Sequence, residues 1–373
     1  MKYIVRSVQS RRELKTFIRW PQLLFRNNAL WVPPLERDEW NTLYPHWAGQ
    51  TPVKTLFLLA FQGKRIVGRI VGIALPGDVD NDKRPRVRWG WLDAIDDPDV
   101  FSVLLETMER WAKSLQAETI QGPLGFSNLD KAGMLVEGFE ELPTIVELYN
   151  PDYYPRYVEA CGYSKTADWV EYEFSVPDRV PDKLIHLAHV IRSRFQVKTL
   201  EIRRAGDLRP YGQELFRLIN ETHRHLHGFV PFDEEKAVLY LDKYFPLLNK
   251  DLISIVQDKE GVMIGYGISI PSMSRAFQRA HGRLYPFGLR HILHASRKND
   301  RADLYLIGVK DAYRNTGIIA LMFEQIMQGF IHHGIKKVES NPELETNSQV
   351  QALWKNYQYR QHKRRRCFEK IVD

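Results

Sequence analysis

The 373-residue sequence predicts an α/β protein of the mixed-sheet, α+β kind, built from two similar units in tandem. Two observations carry the repeat. Residues 56–76, LFLLAFQGKRIVGRIVGIALP, and 252–271, LISIVQDKEGVMIGYGISIP, both read as apolar strands joined by a tight turn, at Gly63-Lys64 and at Asp258 to Gly261. Each hairpin ends its first strand on a glutamine and carries a glycine inside its second: Gln62 and Gly68, then Gln257 and Gly265. A third observation fixes the order. Each hairpin follows a helical pattern and precedes a strand, a helix, another strand-like piece and a short helix.

The elements follow in sequence. In the first unit the strand WGWLDAIDD (89–97) leads to a helix over 98–115, and a short helix follows at 151–161. VPDRVPDK (176–183) interrupts the pattern with two prolines, so the first half is placed at 1–178. A linker helix, Asp182 to Phe195 within 179–196, joins it to a second half at 197–373. EIRRAG (201–206) is expected to start the second sheet. In the second half the strand from Leu304 leads to a helix over 317–333, with a last short helix at 347–357.

Composition excludes several classes. Hydrophobic content of 44% and aromatic content of 12% point to packed cores. The longest uncharged apolar run, Gly261 to Ser274, is shorter than the ~18 residues of a membrane span. MKYIVRSVQSRRELK lacks the apolar core of a secretory signal. Cys161 and Cys367 are too few for a disulfide framework or a metal cluster, so no metal is expected. The chain reads as cytoplasmic.

Net charge is +7, from 53 Lys and Arg against 46 Asp and Glu. The excess gathers at Arg290 to Arg301 and in the run Lys363-Arg364-Arg365-Arg366. It suits an anionic partner: coenzyme phosphates, nucleic acid or an anionic membrane face. A solvated edge strand, protected from mispairing by its charges, fits the last run equally. The segment GRLYPFGLRHILHA (282–295) is apolar and aromatic with basic flanks. It suits a cover over an acyl chain, a helix on an anionic membrane surface, or a buried lid.

Residues 304–320, LYLIGVKDAYRNTGIIA, carry the chemistry. A strand, a tight turn and a helix N-terminus leave backbone N–H groups pointing one way, a site for phosphate. Arg314 adds charge, and Gly317 lets the backbone approach an anion. This is a candidate pyrophosphate cradle; the alternative is an ordinary strand–turn–helix connection. The first copy has no Arg-x-x-Gly at this point, and Asp93, Asp96 and Asp97 would repel phosphate there. One anion-competent half and one degenerate half result.

THRHLHGFVPF (222–232) places His223 and His227 four apart, on one face if this end is helical. A zinc site lacks a third ligand. The open readings are a histidine base lining an acceptor pocket or a helix end carrying polar residues.

Val309, Tyr313, Arg314 and Gly317 fall in register with the cofactor motif of the GNAT acyltransferase superfamily, which this stretch resembles. Asp311 stands where proline is usual there, and Ile319 where glycine or alanine is. The pieces LWVPPLERDE (30–39), GRIVGI (68–73), QGPLGFSNLDKAGMLVEGFEELP (121–143), YNPDYYPRYVEACGYSK (149–165) and GRLYPFG (282–288) are similar to the bacterial ceramide synthase-like group. The resemblance implies two GNAT-like halves, the second taking acyl-CoA on Ile307, Gly308, Val309, Arg314, Asn315, Thr316, Gly317 and Ile318. It implies transfer of the acyl group to a primary amine, with a sphingoid-type lipid amine as one acceptor class. A backbone N–H near Val309 would stabilise the oxyanion. Glu339 is a candidate base if it points into the opening between strands, and His227 is another. The pattern of the following helix falls on Asn347, Val350, Leu353, Trp354, Gln358 and Tyr359. Trp354 takes the place of the usual acidic tyrosine, which leaves Tyr357, Tyr359 or water as proton donor. The alternative is a binding or scaffold protein that keeps the fold without activity.

Overall fold

The structure, a computed structural model, describes residues 2–127, 130–224, 226–231, 248–347 and 357–372. The first elements are β1 (Ile4–Ser7), α1 (Arg11–Leu24), α2 (Glu36–Trp47), β2 (Lys54–Gln62), β3 (Arg65–Ala74), β4 (Arg86–Ala94), α3 (Pro98–Ser114), β5 (Thr119–Gly122) and β6 (Met134–Glu137). There follow α4 (Tyr153–Ala160), β7 (Ser164–Ser175), α5 (Asp182–Phe195), β8 (Lys198–Thr199), α6 (Gly212–His223), β9 (Ile253–Gln257), β10 (Met263–Pro271) and α7 (Ser274–Ala280). The last are α8 (Gly288–Arg297), β11 (Arg301–Val309), α9 (Ile318–His332), β12 (Lys337–Ser340), β13 (Glu343–Leu344) and β14 (Tyr359–Ile371).

By packing, the chain forms two units. The first holds Met1–Val170, Ser274–His291 and His362–Asp373; the second holds Glu171–Met273 and Ile292–Gln361. The late segments are stitched into the first unit by specific bonds. Ser274 donates to the Pro143 carbonyl at 2.7 Å, and Gln278 donates to the Ala29 carbonyl at 2.7 Å. Arg283 pairs with Glu36 at 3.0 Å, and β14 runs antiparallel to β5 with Phe368 opposite Gly122.

In the first unit the strand order is β1-β2-β3-β4-β5-β14, with β6 also on β14. Helix α3 starts on Asp97, whose carboxylate accepts the Asp99 amide, and on Pro98, which has no N–H to leave unpaired. Its buried residues Val100, Phe101, Leu104, Leu105 and Met108 recur at helical spacing and cover the sheet. Glycine inside β3 allows that approach. A β-carbon at Gly72 would stand 2.5 Å from the Trp111 ring, and one at Gly68 2.8 Å from Leu104.

The second unit orders its strands β7-β12-β11-β10-β9-β8. It repeats the glycine device: a β-carbon at Gly267 would lie 2.9 Å from Ile326 of α9. The hairpins sit where the sequence places them, with β2 pairing β3 and β9 pairing β10, both antiparallel. The second sheet starts earlier than EIRRAG. Its first strand is β8, paired Lys198 to Gln257; Asp207 takes the amides of Arg203 and Arg204 at 3.0 Å and leads that segment into a 3-10 helix, Ala205–Tyr211. Helix α5 runs Asp182–Phe195 as expected and packs its buried Ala188 and Ile191 within the second unit.

The basic run of β14 is neither a solvated edge nor an open anion site. Lys363 and Arg365 are wholly buried and converge on Glu147, Arg365 at 3.0 Å. Arg364 and Arg366 both reach Asp168, at 3.1 and 2.9 Å. Alternation along β14 sends successive charges to opposite faces, and the fold meets each pair with a buried acid. Among the described residues no helix is long and apolar enough to cross a membrane.

Candidate active site

The strand β11 pairs parallel with β12 from Arg301 to Leu304 and no further. Beyond that point β11 runs on to Val309 beside β10, its one strand partner among the described residues, so β11 and β12 part and leave an opening. Lys310 donates its amide to Ile264 at 2.8 Å. In an antiparallel ladder, bonded and non-bonded pairs alternate. The next pair, Gly265 and Val309, is then the non-bonded one, which turns the Val309 N–H away from β10 toward the opening. The Asn341 side chain reaches across to the Tyr305 carbonyl at 2.6 Å.

After Val309 the chain makes one 3-10 turn, Asp311–Tyr313, and swings into α9 through Asn315 and Gly317, with φ of 63° and 85°. The turn uses up some amides: Tyr313 donates to Lys310, Arg314 to Asp311 and Thr316 to Tyr313. Among the described residues, the amides of Asn315, Gly317, Ile318 and Ile319 take no acceptor. They sit at an uncapped helix N-terminus, where N–H groups and dipole both favour an anion.

This loop lines a cavity of about 660 Å³. Val309, Tyr313, Arg314, Ile318, Phe323 and Tyr357 form part of its wall, and Lys183 and Leu187 of α5 another part. Ile319 contributes to the wall and remains only half-buried, so its side chain does not plug the space. Arg314 is engaged by Asp311 at 2.8 Å, and the same carboxylate meets Arg224. The proline position of the motif thus holds an acid that ties down the arginine. Lys183 is exposed at the cavity. Free amides and cations at a largely apolar cavity fit a pyrophosphate with an apolar arm.

Gly317 is needed for a reason beyond an approaching anion. A β-carbon there would lie 2.7 Å from Ile191 Cδ1, so α5 itself rests on the loop.

The other face of β11 carries a cluster that sequence reasoning missed in part. A β-carbon at Gly308 would lie 2.6 Å from the Tyr266 hydroxyl and 2.7 Å from that of Thr222. Thr222 donates to the Leu218 carbonyl at 2.8 Å, leaving its oxygen to accept from Tyr266 at 3.0 Å. His223 Nδ1 lies 3.1 Å from the Ile219 carbonyl, which only accepts; we therefore assign the proton to Nδ1 and the lone pair to Nε2. Desolvation holds the His223 imidazole below its ordinary pKa, and burial pushes the Tyr266 phenol up. The sequence signal was present: Tyr266 stands between Gly265 and Gly267, and Thr222 precedes His223.

The remaining candidates are placed as follows. Helix α6 ends at His223, so His227 lies in the turn that follows, not on a helical face with His223. Glu339 sits in the paired part of β12, opposite Asp303 on β11 and Glu173 on β7, before the opening begins. Its carboxylate comes within 4.8 Å of that of Glu171. Burial would raise the Glu173 carboxyl, but Lys337, Arg360 and Arg301 hold it down to about 2. Tyr357 lines the cavity, its ring 5.5 Å from that of Phe174, and burial pushes its phenol up to about 12. Tyr359 is exposed on β14. Ile307 and Gly308 lie on β11 short of Val309. Val350, Leu353 and Trp354 fall outside the described residues.

In the first unit the corresponding strands, β4 and β5, also pair in parallel for a few residues and then part. There the opening is closed by the chain itself. Leu124 donates to the Trp89 carbonyl at 2.9 Å, and a β-carbon at Gly90 would stand 2.6 Å from the Leu124 carbonyl oxygen. Asp97 caps the helix that follows.

A tandem GNAT protein from the clavulanic acid biosynthesis pathway superposes on this chain with a TM-score of 0.55, covering 100% of this chain and 99% of the other at 12% identity. The chain has the tandem GNAT fold. No family model matches it. This tandem GNAT-like chain is 27% identical to Protein YghO of Escherichia coli (strain K12), over 99% of its own length and 95% of that protein. It is 26% identical to the bacterial ceramide synthase of Caulobacter vibrioides (strain NA1000 / CB15N), over 98% and 96%. Within the GNAT fold, the parting of β11 from β12 and the uncapped α9 belong to the second unit. The first keeps the strand arrangement and closes it.

Proposed function

We propose that the protein is an acyl-CoA-dependent N-acyltransferase whose acceptor is a primary amine, with a sphingoid-type lipid amine as the favoured class. The observation that carries this reading is the set of free amides at Asn315, Gly317, Ile318 and Ile319, opening onto a cavity beside parted strands. The acceptor class comes from similarity to the bacterial ceramide synthase. We further propose that the repeats divide at 1–178 and 197–373, with the degenerate half first.

In this reading the pyrophosphate rests on those amides, with Arg314 and Lys183 nearby. The acceptor nitrogen attacks the thioester carbon: an N–C bond forms, the C–S bond breaks, and the nitrogen loses one proton. His223 Nε2 is the base we favour, directly or through water, because its ring is neutral and fixed by Ile219. The Val309 N–H meets the developing oxyanion. Tyr357, kept protonated at neutral pH by burial, gives a proton to the departing thiolate in this reading. Glu339 and His227 are weaker candidates, since one sits before the opening and the other beyond α6.

One observation favours a second reading. Asp311 holds Arg314, which lowers the charge offered to phosphate and suits a binding or scaffold protein without activity. Incubation with palmitoyl-CoA and sphinganine, with mass detection of the amide and of free thiol, separates the two. Amide formation above the protein-free rate supports the enzyme; acyl-CoA binding without turnover on lipid and simple amines supports the scaffold.

A further inference from the structure

Residues 272–299 contain no aspartate or glutamate. They form α7, a turn and α8, and the turn presents Tyr285 and Phe287, 72% and 73% exposed. These are among the largest apolar exposures in the chain, and side chains of this size are normally buried. The turn is ordered: Leu289 donates to the Leu284 carbonyl at 2.7 Å and Arg290 to that of Phe287 at 3.1 Å. Leu289 and Leu293, four apart on α8, continue the exposed apolar strip, while Ile292 faces inward.

Cations flank the strip along the chain. Arg275, Arg279, Arg290, Arg297 and Lys298 are all exposed and, among the described residues, none pairs with an acid. Arg283, which does pair, is held by Glu36. An apolar aromatic tip flanked in sequence by cations is the chemistry of a helix at a lipid interface: rings enter the headgroup region and the cations stay with anionic phosphates. Cations near such a surface are attracted to the anionic headgroups, and salt screens that attraction.

We propose that the segment from α7 through the turn into the start of α8 docks the protein on an anionic lipid bilayer, with Tyr285 and Phe287 inserted and Arg275, Arg279 and Arg290 on the headgroups. The proposal does not rest on acyl transfer.

The test uses the full chain and sedimentation with phosphatidylcholine vesicles, with and without phosphatidylglycerol. The wild type is expected to pellet with the anionic vesicles only, and to be released by high salt. The double variant Tyr285→Ser/Phe287→Ser is expected to lose affinity about tenfold or more. Arg279→Glu/Arg290→Glu should lose it similarly, each with unchanged thermal unfolding because the side chains are exposed. Equal binding to neutral vesicles, or anionic binding that the serine pair leaves intact, overturns the proposal. So does preference for a mixed-sequence oligonucleotide over the vesicles.

Discussion

Ile191 of α5 lies where a side chain on Gly317 would have to go, 2.7 Å from the position of its β-carbon. The glycine therefore serves the loop twice, through its φ of 85° and through the space it leaves. Without it, α9 could not begin where its amides face the cavity.

Gly317→Ala is expected to lower stability by about 1–2 kcal/mol from the left-handed backbone alone, with a further loss from displacing Ile191. Acyl-CoA affinity should fall as well. Urea unfolding and calorimetry check both. A variant as stable as wild type that binds acyl-CoA equally well would show that the loop does not depend on this packing.

His223 gives a pH dependence with a definite sign. Its folded pKa lies below the ordinary value of about 6.5, so the base is neutral at pH 7 and activity should fall as pH drops through the lowered pKa. The unfolded chain binds the proton more readily, so stability rises with pH across the same interval and is fully present above the ordinary value. His223→Gln should cut kcat by about a hundredfold while leaving acyl-CoA binding intact. A pH–rate profile unchanged in that variant would remove His223 from the reaction.

Much of this site was legible in sequence because a strand–turn–helix junction has local determinants. The apolar run to Val309, the polar turn and Gly317 lie within one short stretch and need no distant partner. The hairpins were legible for the same reason: Asp258 accepts the amides of Glu260 and Val262 within its own turn. What sequence did not reveal depends on distant pairing. Tyr266 and Thr222 meet over Gly308 only because β10 lies beside β11. The charges of β14 looked solvated because their partners, Glu147 and Asp168, lie far back in the chain.

Glu173 predicts an acid-sensitive second unit. Its carboxyl is held down to about 2 against burial by Lys337, Arg360 and Arg301. A lowered carboxylate contributes stability that is present above the ordinary value, near 4.5, and is lost as pH falls toward about 2. Glu173→Gln should therefore be less stable than wild type at pH 7, and the gap should shrink at pH 3. Urea midpoints at the two pH values test this; a gap independent of pH would assign the loss to packing.

Glu147 offers the largest expected effect on stability. It is buried with Lys363 and Arg365, and all three side chains are fully enclosed. Removing this carboxylate takes away the acid that both cations share, which typically costs about 3–5 kcal/mol. Glu147→Ala should accordingly unfold at markedly lower urea concentration, whereas Lys363→Met, which removes one of the competing cations, should cost less. The run in β14 is expected to contribute to folding and not to ligand capture. If Arg365→Ala instead left the urea midpoint unchanged and abolished binding of an anionic ligand, the run would be a binding surface after all.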